Sequence, residues 1–109
     1  MEGKQLPEVH HSFEPLKRML YGAVQSRLLL ASVELDVFSH LHAPLSARDL
    51  ADKIGTHHDN TRGFLDALTA NDLLLKRSGR YRNTPLADAF LVRGQPTYLG
   101  RLLENFAGY

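Results

Sequence analysis

Histidine is the side chain that most often binds a metal ion, and this chain of 109 residues contains six histidines. They stand in three close pairs, which are His10 and His11, His40 and His42, and His57 and His58. Adjacent side chains diverge, and side chains two residues apart on a helix lie on different faces, so no pair converges on one ion. No carboxylate cluster completes a ligand set, and the chain has no cysteine. We therefore predict no metal site and no thiolate nucleophile.

Two hydroxyl groups stand in notable positions, at Ser46 and Thr84. A nucleophilic hydroxyl needs a base and an orienting acid within reach. Each of these hydroxyls instead precedes an apolar pattern of helical period, where serine and threonine cap the first turn. The carboxylates of residues 49–66 are scattered over positions predicted to face solvent, which leaves no pair for acid–base catalysis. We therefore predict no catalytic residue in this chain.

The segment Lys76–Arg82 carries four positive charges and no acid, which is the composition of a surface that contacts phosphate. In a DNA-binding protein, this segment would act with the helix before it. The predicted contacts would come from Asn60, Arg62, Lys76, Arg77, Arg80 and Arg82. The other interpretation is a solvated hairpin whose charges discourage strand-to-strand aggregation.

Charges elsewhere do not favour the DNA-binding interpretation. Between residues 59 and 72, three aspartates outnumber Arg62, and each acid near a phosphate opposes binding. The spacing of Arg62 and Asp66 predicts an i,i+4 ion pair on that helix. The net charge of +1 supplies no general attraction to nucleic acid or to an anionic membrane.

These side chains are positioned by two helices and a hairpin. The first helix lies between the cap Ser46 and the left-handed stop Gly55, with apolar residues at helical spacing between them. The second helix runs from about Asp59 to Asn71. Strands at 73–77 and 80–83 flank a two-residue Ser-Gly turn. This order predicts a mainly α fold, a winged helix-turn-helix with a two-stranded β wing.

A long amphipathic helix is predicted to begin near Pro15 and to precede the winged region. Apolar residues recur along it at three- and four-residue spacing, and at residues 28–31 they cover nearly its whole circumference. One small domain can hardly cover such a helix on every side, so a second chain or a second domain is implied. The predicted interface comprises Leu16, Met19, Leu20, Ala23, Leu28, Leu29 and Leu30, with Leu99, Leu102 and Phe106 from the last helix.

Three further helices are predicted outside the winged region. They cover about residues 34–42, residues 84–94, and the segment from Thr97 onward. Their predicted inward side chains are Leu35, Phe38 and Leu41, then Leu86, Ala87, Phe90 and Leu91, and finally Leu99, Leu102, Leu103 and Phe106.

One domain of residues 13–109 is expected after a flexible lead-in of residues 1–12. The amphipathic last helix has no later segment to pack on, so we expect the parent protein to continue beyond Tyr109. The N-terminus has no apolar signal-peptide core, and no apolar run is long enough to span a bilayer. These properties and the absence of cysteine favour a cytoplasmic protein.

Four segments in a fixed order carry a family resemblance. They are LLLASVELDVFSHL (28–41), PLSARDLADKIG (44–55), RGFLDALTANDLLLKRSGRYRNTPLADAFLVRG (62–94) and QPTYLGRLLE (95–104). The most specific part is the exit from the wing through Tyr81, Thr84 and Pro85. The chain resembles the N-terminal dimerisation domain of bacterial S-adenosylmethionine-dependent O-methyltransferases, of the hydroxyindole and caffeic-acid type.

This resemblance implies a long N-terminal dimerisation helix that interleaves with a two-fold mate. It also implies a following Rossmann-like domain, which would bind S-adenosylmethionine and supply the catalytic base. No cofactor-binding residue is expected in this chain, because Gly94–Gly100 lacks the preceding strand and the G-x-G spacing of a nucleotide loop. The 109 residues alone are not expected to catalyse methyl transfer.

The resemblance further implies that the first helix of one chain lines the substrate pocket of its partner, with Phe13, Met19 and Tyr21 as candidates. Packing in the core or the interface is the alternative role for Phe13 and Met19. The sequence thus predicts the dimerisation and pocket-lining module of a secondary-metabolism O-methyltransferase acting on a small-molecule hydroxyl. A winged-helix transcription regulator and a scaffold that pairs with a complete methyltransferase stay open as alternatives.

Overall fold

The computed structural model describes residues 12–106, apart from the side chains of Glu104 and Phe106. The predicted lead-in of residues 1–12 therefore lies outside the described residues, except for Ser12. The helices are α1 (Glu14–Glu34), a 3-10 helix (Val37–His40), α2 (Ala47–Ile54), α3 (His58–Ala70), α4 (Pro85–Phe90) and α5 (Gly100–Phe106), and the strands are β1 (Leu45–Ser46), β2 (Leu74–Arg77) and β3 (Arg80–Asn83). The described fold is mainly helical and contains the predicted helix-turn-helix and wing.

The two helices of the helix-turn-helix form where the sequence carries their end signals. The Ser46 hydroxyl accepts a hydrogen bond from the backbone N–H of Asp49 at 3.1 Å, which caps α2. Gly55 ends α2 with φ of 73°, a conformation that costs other residues more because of their Cβ atom. At the start of α3, the ring Nδ1 of His57 accepts from the N–H of Asn60 at 3.4 Å. The predicted bounds of both helices are correct to within about a residue.

The wing is an antiparallel hairpin in which Leu74 pairs with Asn83 and Lys76 pairs with Tyr81. Ser78 and Gly79 both have positive φ, at 51° and 75°, as a two-residue hairpin turn of the primed type requires. The sheet has a third strand, β1, which pairs with β3 on the side away from β2. The sequence did not predict this strand, because two residues are too few to show the alternating pattern of a strand. Ser46 can pair with β3 because its backbone is extended where it caps α2.

The core lies where α2, α3 and the sheet meet the C-terminal end of α1. Its largest fully buried side chains include Phe38, Leu41, Leu50, Leu65, Leu68, Leu74 and Tyr81. Asn83 joins the wing to the 3-10 helix: its side-chain amide donates to the carbonyl of Phe38 and to Asp88, each at 2.8 Å. Its backbone N–H donates to the carbonyl of Leu41 at 2.8 Å. The wing is thereby fixed to the rest of the core.

The predicted helix at 34–42 is wrong in its bounds. Helix α1 continues to Glu34, the chain turns at Asp36 with φ of 56°, and only Val37–His40 is helical, as one 3-10 turn. Leu35 is exposed rather than inward, whereas Phe38 and Leu41 are buried as predicted. Apolar residues spaced by three fit an α-helix and a 3-10 helix equally well. The turn at Asp36 leaves room for only a short 3-10 helix.

The helices after the wing are shorter than predicted. Helix α4 ends at Phe90 instead of Gly94, and α5 begins at Gly100 instead of Thr97. Between them the chain folds back on α4, where the N–H of Leu99 donates to the carbonyl of Phe90 at 2.8 Å. Helix α4 turns only one narrow face inward. Ala87 and Leu91 are buried there, whereas Leu86 and Phe90, both predicted to face the core, are exposed.

Candidate functional site

The N-terminal half of α1 is the main apolar surface of the described structure. Every residue from 12 to 21 is exposed. Among the described residues, the first side chain of α1 that bonds to a distant part of the chain is Gln25, whose amide donates to Asn71 at 2.9 Å. Six large apolar side chains of this half are between 59% and 72% exposed, namely Phe13, Leu16, Met19, Leu20, Tyr21 and Val24. A single chain thus leaves a long apolar surface in water, which in soluble proteins marks an interaction site.

Most of this surface lies on one side of α1. With about 100° of rotation per residue, Leu16, Leu20 and Ala23 cluster on one side of the helix. Leu29 and Ser32, which face the core, lie on the opposite side. The helix therefore presents one apolar side to its own core at its C-terminal end and the other side to solvent at its N-terminal end.

Residues 28–31, whose apolar circumference suggested the dimer, are partly covered within the chain. Leu28 and Leu29 pack against the core, and Leu30 and Ala31 are half-buried. The predicted interface residues that are most exposed are instead Leu16, Met19, Leu20 and Ala23. The surface that needs covering is therefore about two turns nearer the N-terminus than the sequence pattern indicated.

The last helix extends this apolar surface, because α5 packs against α1. Leu99 precedes α5 and is 38% exposed, and Leu102 is 50% exposed. Leu103 turns toward the core. The side chain of Phe106, also predicted for the interface, lies outside the described residues.

The three predicted pocket-lining residues do not share a side of α1. Tyr21 lies about 160° around the helix from Met19. All three are exposed, and the amine of Lys17 lies 5.8 Å from the centre of the Tyr21 ring. One pocket on one side of α1 could therefore contact Phe13 with Met19 or with Tyr21, but not all three together.

The positive charges of the wing are divided between the two faces of the hairpin. Because side chains alternate along a strand, Lys76 points to the same side as Tyr81, toward α3. Arg77, Arg80 and Arg82 lie on the opposite face and are exposed. The six side chains considered for DNA contact are thus not brought together on one surface. Lys76 faces α3, which carries Asn60 and Arg62, whereas the three arginines of the wing face away from α3.

Asp66 on α3 accepts hydrogen bonds from the Tyr81 hydroxyl at 2.5 Å and from the Lys76 amine at 2.9 Å. The bond from Tyr81, followed by that from Lys76, lowers the pKa of the Asp66 carboxyl below its ordinary value. Burial of the ring, followed by the bond to Asp66, raises the pKa of Tyr81. The predicted pair of Arg62 and Asp66 does not form, because the wing occupies Asp66 and Arg62 lies 3.5 Å from Asp59.

A polar cleft of about 370 Å³ lies between α2, α3 and this side of the hairpin. Its lining residues are Ala47, Arg48, His58, Asp59, Arg62, Lys76, Gly79 and Tyr81. Two of its cationic side chains pair with acids, Arg62 with Asp59 and Lys76 with Asp66. The ring Nε2 of His58 lies 2.7 Å from a carboxylate oxygen of Asp52. The cleft contains charges of both signs and brings together no nucleophile with a base.

The remaining candidate residues have structural roles. Ser46 and Thr84 cap helices as predicted, the latter by accepting from the N–H of Ala87 at 3.3 Å. His57 caps α3, and His42 lies 3.1 Å from the carbonyl of Ser39. Within residues 12–106, no group of three or more histidine and acidic side chains could hold a metal ion. His10 and His11 lie outside the described residues.

The described residues do not form a cradle for a nucleotide-like cofactor. Such a cradle needs a strand that leads through a glycine-rich loop into a helix. Here β3 leads into α4 through Asn83 and Thr84 without a glycine, and Gly94–Gly100 connects two helices. In the same part of the chain, no helix is long and apolar enough to cross a membrane.

A winged helix-turn-helix with a projecting apolar helix defines a class of domain that associates with another polypeptide. The family model of the O-methyltransferase dimerisation domain matches residues 17–93. The chain belongs to this family.

Similar proteins agree with this assignment. The tetracenomycin polyketide synthesis 8-O-methyl transferase TcmO of Streptomyces glaucescens is 46% identical over 88 residues, which cover 78% of this chain and 25% of that protein. The N,N-dimethyltransferase OxyT of Streptomyces rimosus is 43% identical over 77 residues, which cover 70% and 22%. The structure of human N-acetylserotonin methyltransferase in complex with SAM has a TM-score of 0.79 at 26% identity, with 95% of this chain and 32% of that chain covered. The chain spans about a quarter of the length of the relatives that it matches.

Proposed function

We propose that this chain forms a homodimer through α1 and α5 and is the dimerisation module of an S-adenosylmethionine-dependent methyltransferase. The observation that supports this most directly is the exposed apolar side of α1. Burial of one such side chain contributes about 1.5–3 kcal/mol. In a dimer with two-fold symmetry, each interface residue is buried in both copies. Helix α1 can therefore supply the large apolar interface typical of obligate homodimers.

The parent enzyme holds S-adenosylmethionine, which supplies the methyl group, in a domain outside these 109 residues. This part of the proposal rests on the family and on the absence of a nucleotide cradle among the described residues. In the parent gene, we expect the codons after Tyr109 to encode a strand followed by a Gly-x-Gly loop. Calorimetry in which the 109-residue chain binds S-adenosylmethionine tightly would contradict this assignment.

In the dimer, α1 of one copy lines the acceptor pocket of the other. Methyl transfer requires the acceptor atom to be aligned with the methyl carbon, and an apolar wall orients the acceptor and excludes water. The candidate wall residues are Phe13 and either Met19 or Tyr21, which lie on different sides of α1. The acceptor is a small molecule, and we propose a hydroxyl as the methylated group. The protein is proposed to be cytoplasmic.

Sedimentation equilibrium of the 109-residue chain tests the dimer. The expected mass is twice the chain mass of 12.3 kDa at micromolar concentration. A compact monomer at that concentration would remove the proposal. The DNA-binding alternative gains no support from the geometry, because the wing arginines and α3 face different directions.

A further inference from the structure

Seven-residue spacing places three exposed side chains on one stripe of α1. Phe13 directly precedes the helix, and Leu20 and Arg27 follow it at intervals of seven residues. Each interval turns by only about 20° around a helix, so the three side chains lie nearly in line. Phe13 and Leu20 are 72% and 69% exposed, and Arg27 is exposed as well. The apolar side of α1 thus has an aromatic ring at one end, a leucine in the middle and a cation at the other end.

Arg27 is a cation within this apolar side that has no partner in the described part of its own chain. Ala23 and Ala31 lie one turn before and one turn after it, so its neighbours along the stripe are small and apolar. Among the described residues, its side chain takes part in no ion pair, hydrogen bond or ring contact. Of the two acids of α1, Glu14 lies about 140° around the helix and Glu34 lies about 10.5 Å along the axis. In a dimer formed through this side of α1, the second copy covers Arg27 together with its apolar neighbours.

An antiparallel second copy can bring a partner to Arg27. With Leu20 on the two-fold axis, Arg27 of each copy lies opposite Phe13 of the other, because both residues stand seven positions from Leu20. This register overlaps residues 13–27 of the two copies. A parallel copy would instead place the two Arg27 side chains against each other, and like charges in contact oppose association.

One other antiparallel register would also give Arg27 a partner, because it places Glu34 of the second copy opposite Arg27. That register overlaps only residues 27–34 of the two helices. The large exposed apolar side chains of α1, which run from Phe13 to Val24, would then lie outside the contact between the helices. The register centred on Leu20 includes all of these positions, so it buries the larger apolar area and is favoured.

We propose that the two copies pack α1 antiparallel with Leu20 at the two-fold axis, and that the guanidinium of each Arg27 stacks on the Phe13 ring of the other copy. This inference rests on the proposed homodimer and fixes its register. The face of an aromatic ring attracts a cation, and arginine is the cation most often found there. The stem of Arg27 covers apolar surface, and the guanidinium stays in contact with water at the edge of the overlap. Phe13 uses one face of its ring and can line the acceptor pocket with the other.

The spacing of these residues fits a surface that meets its own copy. In a two-fold interface, a residue that contacts a second residue across the axis is matched by the reverse contact, so the ring and the cation form two equivalent pairs. This requires the ring and the cation to stand at equal distances from the middle of the apolar side. An unlike partner, such as a later domain of the parent chain, places no such condition on α1.

Single cysteines can locate the axis, because the chain has no cysteine. A disulfide forms only when the two Cα atoms lie within about 7 Å. Above the dimer Kd and under mild oxidation, Leu20→Cys should give a linked dimer on a non-reducing gel. Ala31→Cys tests the alternative antiparallel register and Arg27→Cys tests a parallel pair, and both should stay unlinked. Arg18→Cys, on the opposite side of α1, is the control for random collisions.

Two apolar replacements test the contact between the cation and the ring. Arg27→Met keeps a long apolar stem without the charge, and Phe13→Leu keeps an apolar side chain without the ring. Since each dimer contains two such contacts, either change should raise the dimer Kd about fivefold or more. The double variant should lose little beyond either single variant, because both remove the same contact. The matched control is Arg18→Met, which removes an exposed charge directly opposite Arg27 and should leave the Kd within about twofold. Circular dichroism checks that each variant is folded.

The sign of the Arg27→Met effect decides whether the arginine makes a favourable contact. Methionine is more apolar than arginine, so an Arg27 without a partner in the interface would give a tighter dimer after this change. A tighter dimer would overturn the proposal, and so would fully additive losses for Arg27→Met and Phe13→Leu.

The cysteine variants give the remaining outcomes. Linking of Ala31→Cys would assign Arg27 to Glu34, linking of Arg27→Cys would show parallel helices, and a dimeric Leu20→Cys that stays unlinked would remove Leu20 from the axis. Each of these results overturns the register and leaves the homodimer intact. A monomeric unchanged chain would instead refute the homodimer, and the register with it, so the two failures can be told apart.

Discussion

Replacing Leu20 with alanine should separate the two copies of the chain without unfolding either one. Leu20 lies in the middle of the apolar side of α1 and is 69% exposed in the single chain. Alanine is the best helix former, so the substitution does not weaken α1 itself. Most of the loss of stability must therefore come from contacts that a second copy makes with the exposed part of Leu20.

The size of the effect follows from the exposed fraction of Leu20. The substitution removes three carbon groups, each of which contributes about 0.8 kcal/mol when buried. Scaled by an exposed fraction of 69%, the loss is about 1.7 kcal/mol per copy and about 3.3 kcal/mol per dimer, since two-fold symmetry uses the residue twice. The dimer Kd should therefore rise roughly 200- to 300-fold. Leu20→Asp should have a larger effect, because it would place a carboxylate in the apolar interface.

Sedimentation velocity over a dilution series measures this change directly. The matched control is Leu86→Ala on α4, where the leucine is 54% exposed but lies outside the α1 surface. We expect the control to have the Kd of the unchanged chain. If Leu20→Ala also dimerises with that Kd, the apolar side of α1 is not the interface and the reasoning is wrong.

Three further substitutions test contacts inside the chain. Asp66→Asn should lower Tm at neutral pH. A carboxyl whose pKa is lowered in the folded state contributes its full stability only above its unfolded pKa of about 3.9. The difference in Tm should therefore shrink as the pH falls through the lowered folded pKa of Asp66. The half-exposed carboxyl limits this effect to under about 1 kcal/mol, and Tyr81→Phe should reproduce most of it. Asn83→Ala should cost about 1–3 kcal/mol in urea titration, because the buried carbonyl of Phe38 loses its donor, and the exposed Asp88 loses a second bond. Equal stability would show that water replaces the amide. Thr84→Ala should cost about 1 kcal/mol in thermal unfolding by removing the α4 cap, and Thr84→Ser should restore it.

The helix-turn-helix and the hairpin could be predicted from local signals. Ser46 and Gly55 mark the two ends of α2, and the Ser78-Gly79 pair marks the turn of the wing. Each signal works through one or two residues, so no knowledge of distant contacts is needed. The family could likewise be recognised from the order of the segments.

The errors arose where distant contacts decide the structure. Apolar spacing made Leu86 and Phe90 resemble core residues, but the tertiary fold turns the adjacent side of α4, with Ala87, toward the core. Arg62 and Asp66 are correctly spaced for a pair, yet the wing brings two other donors to Asp66. The division of the wing charges between two faces follows from strand alternation and could have been predicted once the register was known.

The order of elements along the chain has a consequence for synthesis in the cell. Helix α1 leaves the ribosome before α2, α3 and the wing, and most of its exposed side never meets those later elements. A nascent chain therefore exposes an apolar helix, and in the proposed dimer this helix is covered by the same helix of another chain. Neighbouring ribosomes on one messenger RNA would bring two such helices close together, so assembly can begin before translation ends. Expression at low message abundance should, by the same reasoning, leave more of the protein dependent on chaperones.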